Sequence, residues 1–358
     1  MKMQSVKHFF LSITLFTFTI MGANSQLPVK NYEKEWKQAE FFVKKGLPKS
    51  ALAEVKKIYD LAKKEKQDAQ VIKSLVYMTS LQNETRENNN ILSIEEIEKE
   101  ITQSKEPSVS ILKSLQAAMY WNYFQQNRWK LLNRTKTVNF DKKDIATWDA
   151  EDFHKKIGEL YLQSIKDENL LQQTRLEAFD AIIIKGNVRH LRPTLYDLLV
   201  HRALSYFEND ERDIKKPAYA FEIDQASAFD PAADFVIRKF PTKDSQSLEH
   251  KALLIYQKLI AFHLKDAKPD ALIDADLKRI EFVKSKSTHP DKDRLYFNGI
   301  NHIAKQYGDL PAASQAWYLL AEWHQEKANE YKPYGDTTWR FSRIKAKARA
   351  GARALSGA

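Results

Sequence analysis

Apolar residues recur every three or four positions along almost the whole chain, which is the spacing of one face of an α-helix. Residues 51–62 show the pattern clearly, because Ala51, Val55, Ile58 and Ala62 fall on one stripe. Similar stripes follow in residues 72–79, 94–101, 111–123, 153–165, 195–206, 248–262, 296–307 and 316–323. No run alternates apolar and polar residues as a half-buried strand would. The pattern therefore predicts an all-α protein.

Helix breakers separate these stripes at short intervals. They are Gly46-Leu47-Pro48, Glu106-Pro107, Lys268-Pro269, His289-Pro290 and Leu310-Pro311. Helices of ten to eighteen residues joined by short turns predict stacked antiparallel hairpins, as in a superhelical solenoid. A tetratricopeptide unit counted from Trp36 fits poorly, because Leu52, Lys56 and Tyr59 occupy positions where Ala, Phe and Ala are expected. We expect a TPR-like solenoid that is not a true tetratricopeptide array.

Residues 210–247 lack helical periodicity. This stretch contains three prolines, and its phenylalanines follow no period: Phe221, Phe229, Phe235 and Phe240. A loop of this length is uncommon unless it has a function or is tethered. We expect an ordered connector between helical regions 26–209 and 248–358, pinned by its phenylalanines; a lining for a binding groove is the alternative.

Residues 1–25 have the features of a secretory signal peptide. Lys2 and Lys7 precede the apolar run Phe9 to Met21, and small residues lead up to Gln26. The run is too short to span a bilayer comfortably, and no later segment is hydrophobic enough to do so. We therefore expect export to the periplasm, the cell envelope or the medium. The chain contains no cysteine, so no disulfide, thiolate chemistry or lipid-attachment cysteine is possible.

The net charge of +10 invites a nucleic-acid interpretation, but acids and bases are interleaved nearly everywhere. The exception is residues 339–358, which contain six basic residues and no acid. Because export is expected, we interpret this segment as a solvated basic helix and expect no nucleic-acid partner.

Catalytic motifs are missing from the sequence. No two of the nine histidines are three or four residues apart, and GxGxxG, the P-loop and GxSxG are all absent. Neighbouring carboxylates occur at Glu95 to Glu98 and at Asp274 and Asp276, but acid-rich helices are common. We therefore expect no enzyme activity, metal or cofactor. A helical hydrolase with two acids across a cleft is a minor alternative.

Aromatic side chains provide the only candidate binding residues. Trp121, Tyr123, Trp129 and Trp148 lie in a stretch rich in Asn and Gln. Such residues can form a recognition surface, but in stacked hairpins they more often fill helix interfaces.

Several segments resemble one known family. They are Gln126 to Thr135 (QNRWKLLNRT), Ala146 to Ser164 (ATWDAEDFHKKIGELYLQS), Arg192 to Phe207 (RPTLYDLLVHRALSYF) and Lys216 to Phe229 (KPAYAFEIDQASAF). They resemble the N-terminal helical region of the large α2-macroglobulin-like proteins of Bacteroidetes. Residues 31–65 and 261–283 fit the same pattern, and the resemblance extends to about Lys347.

The resemblance implies a protease-inhibitor family whose full-length members add macroglobulin β-sandwich domains, a bait segment and, in some, a Cys-Gly-Glu-Gln thioester. This chain has no cysteine and no strand-patterned run. Its ending, Lys345 to Ala358, departs from the family pattern, and we interpret it as a truncation. The leading hypothesis is a non-catalytic scaffold module of such an exported protein, with protein partners reached through the rest of that architecture. The alternative is an independent exported solenoid that binds peptides or glycans.

Overall fold

A computed structural model describes residues 32–134, 144–212 and 217–329. Within these ranges the prediction of an all-α fold is confirmed, because the described residues form fourteen α-helices and no strand. The signal-peptide prediction for residues 1–25 and the basic segment 339–358 lie outside the described residues.

The helices are α1 (Glu33–Lys44), α2 (Pro48–Lys64), α3 (Asp68–Gln82), α4 (Asn89–Gln103), α5 (Ser108–Gln126), α6 (Arg128–Leu132), α7 (Ala150–Ser164), α8 (Glu168–Gln173), α9 (Leu195–Phe207), α10 (Ala232–Phe235), α11 (Leu248–His263), α12 (Asp270–Lys286), α13 (Lys292–Gln306) and α14 (Ser314–Asn329). Short 3-10 turns lie between some of them, as at Ile145–Thr147 and Ala226–Phe229.

Helix α2 shows how the sequence specifies each element. Gly46 precedes it with φ of +66°, a left-handed conformation that costs glycine little. Pro48 takes the first helical position, where the missing N–H is harmless. The striped residues Ala51, Val55 and Ala62 are fully buried, so this face packs into the core.

Most helices pack on a helix that is near in sequence. Helix α2 contacts α1 and α3, α4 contacts α5, and α5 contacts α7 across the short α6. In the second half, α11 lies between α9 and α12, and the series continues through α13 to α14. One cluster of buried apolar side chains runs through the described ranges from Tyr32 to Leu320.

The four phenylalanines of the connector, Phe221, Phe229, Phe235 and Phe240, are all buried. Buried polar groups also tether the connector to α12. The Ser287 hydroxyl donates to the carbonyl of Ile223 at 2.7 Å. Residues 217–247 are thus held to the helices by side chains that come from outside the connector.

Arg279 of α12 is the largest of these tethers and is fully buried. Its guanidinium donates to Asp276 Oδ1 at 2.6 and 2.8 Å and to the backbone carbonyls of Ala228 and Asp230. The guanidinium carbon also lies 4.4 Å from the centre of the Phe235 ring. A single cation therefore neutralises a buried carboxylate and satisfies two carbonyls of an irregular segment, which is how a buried charge can be tolerated.

Candidate functional site: a charged groove over α11

An open groove of about 880 Å³ lies among the described residues. Helices α9 and α12 form its sides, and α11, which packs against both, supplies part of its lining. This volume falls within the range of small-molecule and peptide pockets. Its lining is formed by Arg192, His201, Leu204, Ser205, Glu208, Asp210, Glu249, Tyr256, Lys278, Glu281, Phe282, Ser285 and Lys286.

Helical spacing places most of these residues. His201, Leu204, Ser205 and Glu208 occupy positions i, i+3, i+4 and i+7, so they share one face of α9 and its end. The groove residues of α12, from Lys278 to Lys286, obey the same rule. Helix α9 begins in a capping box, in which Thr194 and Asp197 satisfy each other's backbone N–H groups and fix where the helix starts.

Two glutamates face the groove from different helices. Glu208, at the end of α9, accepts a hydrogen bond of 2.6 Å from the Tyr256 hydroxyl of α11. Burial raises the pKa of Glu208, against the opposing effects of that hydrogen bond and of Lys278 and Lys286. Desolvation likewise raises the pKa of Glu281 on α12, with Lys278 opposing it and the nearby Glu322 and Asp274 adding to it.

Cations also line the groove. Arg192 and Lys278 lie near His201, and burial together with these two charges lowers the pKa of His201 to about 3. His201 is therefore neutral at ordinary pH. Basic and acidic side chains are mixed along the groove, because Lys278 lies close enough to oppose the rise in the pKa of both Glu208 and Glu281.

Several of these charges have no close partner in the described part of the chain. Lys278 and Glu281 form no hydrogen bond or ion pair there. Arg192 reaches only Asp274, at 3.8 Å. Lys286, in contrast, pairs with Asp210 at the far end of the groove. The groove lining therefore carries charges of both signs.

A buried network of hydrogen bonds links α9 and α11. His263 of α11 is 2.8 Å from Asp197 through Nε2 and 2.7 Å from Asp266 through Nδ1. Ionised carboxylates can only accept, so both ring nitrogens must carry a proton to satisfy these two contacts. Burial disfavours the charge on His263, but Asp197 and Asp266 outweigh it and raise its pKa. This network joins the start of α9 to the end of α11.

The aromatic residues singled out from the sequence lie elsewhere, and none of them lines the groove. Trp121, Tyr123 and Trp148 belong to one aromatic cluster, in which Trp121 stacks on Phe124 and Tyr123 on Phe153. Trp129 stands apart from this cluster, 73% exposed, with Arg128 over its ring at 4.7 Å. Three of the four therefore fill helix interfaces, while Trp129 alone is accessible to a partner.

The carboxylate pairs noted in the sequence do not form a site together. Asp276 binds Arg279, Asp274 lies near Arg192, and Glu96 pairs with Arg86 at 2.6 Å. The residues that sequence reasoning missed are Glu208, Glu281 and Lys278. The sequence does show a polar stripe on α9 and another on α12. It does not show that these two helices pack on either side of the same third helix.

The described ranges contain no group of three His, Asp or Glu side chains that could hold a metal ion. No helix within them is long and apolar enough to cross a membrane. The described residues thus form an all-α arrangement of packed helices that includes a charged groove. Comparison of the chain with protein-family models, with curated proteins and with solved structures finds no match.

Proposed function

We propose that this chain is a non-catalytic scaffold module of an exported α2-macroglobulin-like protein, built as a TPR-like superhelix of stacked hairpins. One observation carries the proposal. Three of the four segments that resemble this family contribute to α5 through α7 and to α9, and these helices pack on one another. Aromatic side chains of these segments fill that interface, as where Tyr161 stacks on Tyr206 with ring centres 5.4 Å apart. The resemblance thus concerns residues that hold the helices together, which suits a scaffold.

The role of the buried charges also supports a scaffold. Arg279, His263 and Asp197 are all less than 3% exposed, and each bonds to other buried groups of the protein. Groups enclosed in this way fix the fold and are not accessible to a substrate.

The direct test uses the mature chain, purified from Gln26 onward. We expect cooperative unfolding, a strongly helical circular dichroism spectrum and no inhibition of trypsin acting on a protein substrate. Trapping of the protease by this chain alone, measured as lost cleavage of a large substrate with retained cleavage of a small one, would overturn the non-catalytic scaffold proposal. Export is tested separately by N-terminal sequencing after expression of the full chain in a bacterial host, where cleavage before Gln26 is expected.

A second candidate function is an independent exported solenoid that binds peptides or glycans. The groove over α11 favours it, because a cavity of about 880 Å³ lined by charges of both signs has the size and polarity of a ligand-binding cleft. A third possibility is that the chain hydrolyses its ligand. Mass spectrometry of candidate peptides and glycans after incubation with the protein would detect such cleavage. Cleavage that is lost in Glu208→Gln would favour a hydrolase over the scaffold and over the binding solenoid.

A further inference from the structure

The end of α5 exposes carboxamides where a solvated helix face usually carries charges. The exposed residues of this helix are Asn122, Gln125 and Gln126, and its one charged residue, Lys113, is half-buried. Helix α2 shows the usual arrangement, because most of its exposed residues are charged, as at Lys56. The uncharged surface of α5 is therefore not accounted for by solubility alone.

This surface continues into α6 and gains a tryptophan there. The Asn127 N–H donates to the Tyr123 carbonyl at 3.1 Å, and the Asn127 carbonyl accepts from the Leu131 N–H at 3.0 Å. Helical hydrogen bonds thus run through the junction of the two helices, and helical spacing places a set of exposed residues on one face. This amide face is about 16 Å long and consists of Asn122, Gln125, Gln126, Trp129 and Asn133.

The Trp129 ring is exposed and yet held in place. It is 73% exposed, and the Arg128 guanidinium carbon lies 4.7 Å from its centre. Arg128 is itself fixed, because its Nε donates to Glu211 Oε2 at 2.7 Å. One side of the indole is thus supported by a pinned cation, while the rest of the ring faces solvent. A side chain that is ordered before binding loses less conformational entropy when a ligand arrives.

The amides on either side of Trp129 supply hydrogen-bonding groups of both kinds. A carboxamide carries two N–H donors and a carbonyl acceptor, so it can match hydroxyl groups, which both donate and accept. The Gln126 amide is oriented by Asn90 of α4, whose Nδ2 donates to Gln126 Oε1 at 2.9 Å. A pyranose ring presents an apolar face of C–H groups and an edge of hydroxyls. An indole flanked by amides complements both.

We propose that the amide face binds a neutral glycan. One pyranose ring stacks on Trp129, and its hydroxyl groups bond to the amides of Gln125 and Gln126. The glycan is neutral because no residue of the amide face carries a charge. Asn122 and Asn133 lie at the two ends of the face, where neighbouring sugar units of a short oligosaccharide reach them.

A protein partner fits this surface less well. Aromatic hot spots of protein interfaces lie among contacts that exclude water. The exposed residues closest in sequence to Trp129 are all polar, namely Gln125, Gln126, Lys130 and Asn133.

This inference rests on the second candidate function, the exported binding solenoid, and selects glycans over peptides as its ligands. It places the ligand on α5 and α6 and not in the groove over α11. Variants of the two sites separate these ideas. Glycan binding that is kept in Trp129→Ala and lost in Lys278→Gln would leave the binding solenoid standing and reject the amide face.

The test is isothermal titration calorimetry of the purified mature chain with three neutral probes, laminarihexaose, maltohexaose and mannohexaose. We expect at least one of them to bind. Trp129→Ala should then raise the Kd about tenfold or more, because the sugar loses the apolar area of the indole. Trp129→Phe should retain part of the affinity. Gln126→Ala should raise the Kd about threefold, the size of one neutral hydrogen bond.

Tyr219→Ala is the matched control, since Tyr219 is an aromatic residue of the connector that is 61% exposed. It should bind as the wild type does. Thermal unfolding followed by circular dichroism checks that each variant is folded.

Failure of all three neutral probes to bind, or equal affinities of the wild type and Trp129→Ala, would reject the proposal. Trigalacturonic acid is the charged probe. If it alone binds, and its binding is lost in Lys130→Gln, the ligand is an acidic glycan and the neutral assignment is wrong. Sedimentation velocity covers the protein alternative. A dimer of the wild type that is lost in Trp129→Ala would make Trp129 a contact between two copies of the chain and not a sugar platform.

Discussion

The two halves of this molecule are built from helices with similar apolar patterns, yet they differ in the size and pairing of their buried polar side chains. In the first half, α1–α5, the buried polar side chains are mostly small, such as Ser74, Ser93 and Ser114. Its main buried charge is Glu100, which faces Lys63, a residue whose side chain is still 35% exposed. In the second half, α9–α13, whole ion pairs are enclosed, including Arg279 with Asp276. Regular hairpins need little polar bonding, whereas an irregular connector leaves carbonyls that a buried donor must satisfy.

Arg279 is where this difference is largest. We expect Arg279→Met to lower the free energy of unfolding by about 3–5 kcal/mol, because it leaves Asp276 buried without its cation and two carbonyls without a donor. Urea unfolding followed by circular dichroism measures the change.

The matched control is Arg294→Met. Arg294 and Asp291 form the same three-residue pair on the neighbouring helix, but both side chains are more than half exposed. A surface pair of this kind contributes little to stability, because solvent screens both charges. Equal losses in the two variants would contradict the view that enclosure, and not pairing itself, distinguishes the second half.

The His263 network gives the second half a characteristic dependence on pH. The pKa of His263 is raised in the folded state, so its stabilising effect is fully present below the unfolded value of about 6.5 and is lost as pH rises through the folded pKa. The free energy of unfolding, measured with urea at pH 5 to 9, should therefore fall above pH 6.5. This fall should be absent in His263→Gln.

His302→Gln serves as the control for that experiment, since His302 is exposed on α13. It should keep the pH profile of the wild type. If His263→Gln also keeps that profile, the imidazolium form inferred from the two carboxylate contacts is wrong.

Of the three buried groups, Glu100 is expected to contribute least to stability. Its contribution should change with pH in the direction opposite to that of His263. Burial opposes its charge, but hydrogen bonds from Lys63 and Tyr59 dominate and lower its pKa. Its stabilising effect is therefore present above the unfolded pKa and lost as pH falls below about 4.5. We expect Glu100→Gln to cost about 1–2 kcal/mol at pH 7 and much less at pH 3, measured by urea unfolding. A cost independent of pH would show that packing, not charge, accounts for the effect.

The candidate site was less accessible to sequence reasoning than the fold. His201 was visible on an amphipathic stripe, but its partners Arg192 and Lys278 come from a turn before α9 and from α12. The aromatic candidates were conspicuous in the sequence because they are large, and three of them fill helix interfaces for the same reason. The groove residues are ordinary Glu, Lys and Ser on polar helix faces, where their residue types carry no signal.

The sequence by itself determined the helices, because stripes such as Ala51, Val55 and Ile58 and breakers such as Gly46 and Pro48 act over a few residues. Only the tertiary structure decided which polar residues meet. Lys278 and Glu208 are seventy residues apart, and they share a groove because α9 and α12 both pack against α11. The position of the connector depends in turn on carbonyls that accept hydrogen bonds from Arg279, about fifty residues further along the chain. Local spacing specifies a helix, whereas contacts between distant residues depend on the summed packing of the whole core.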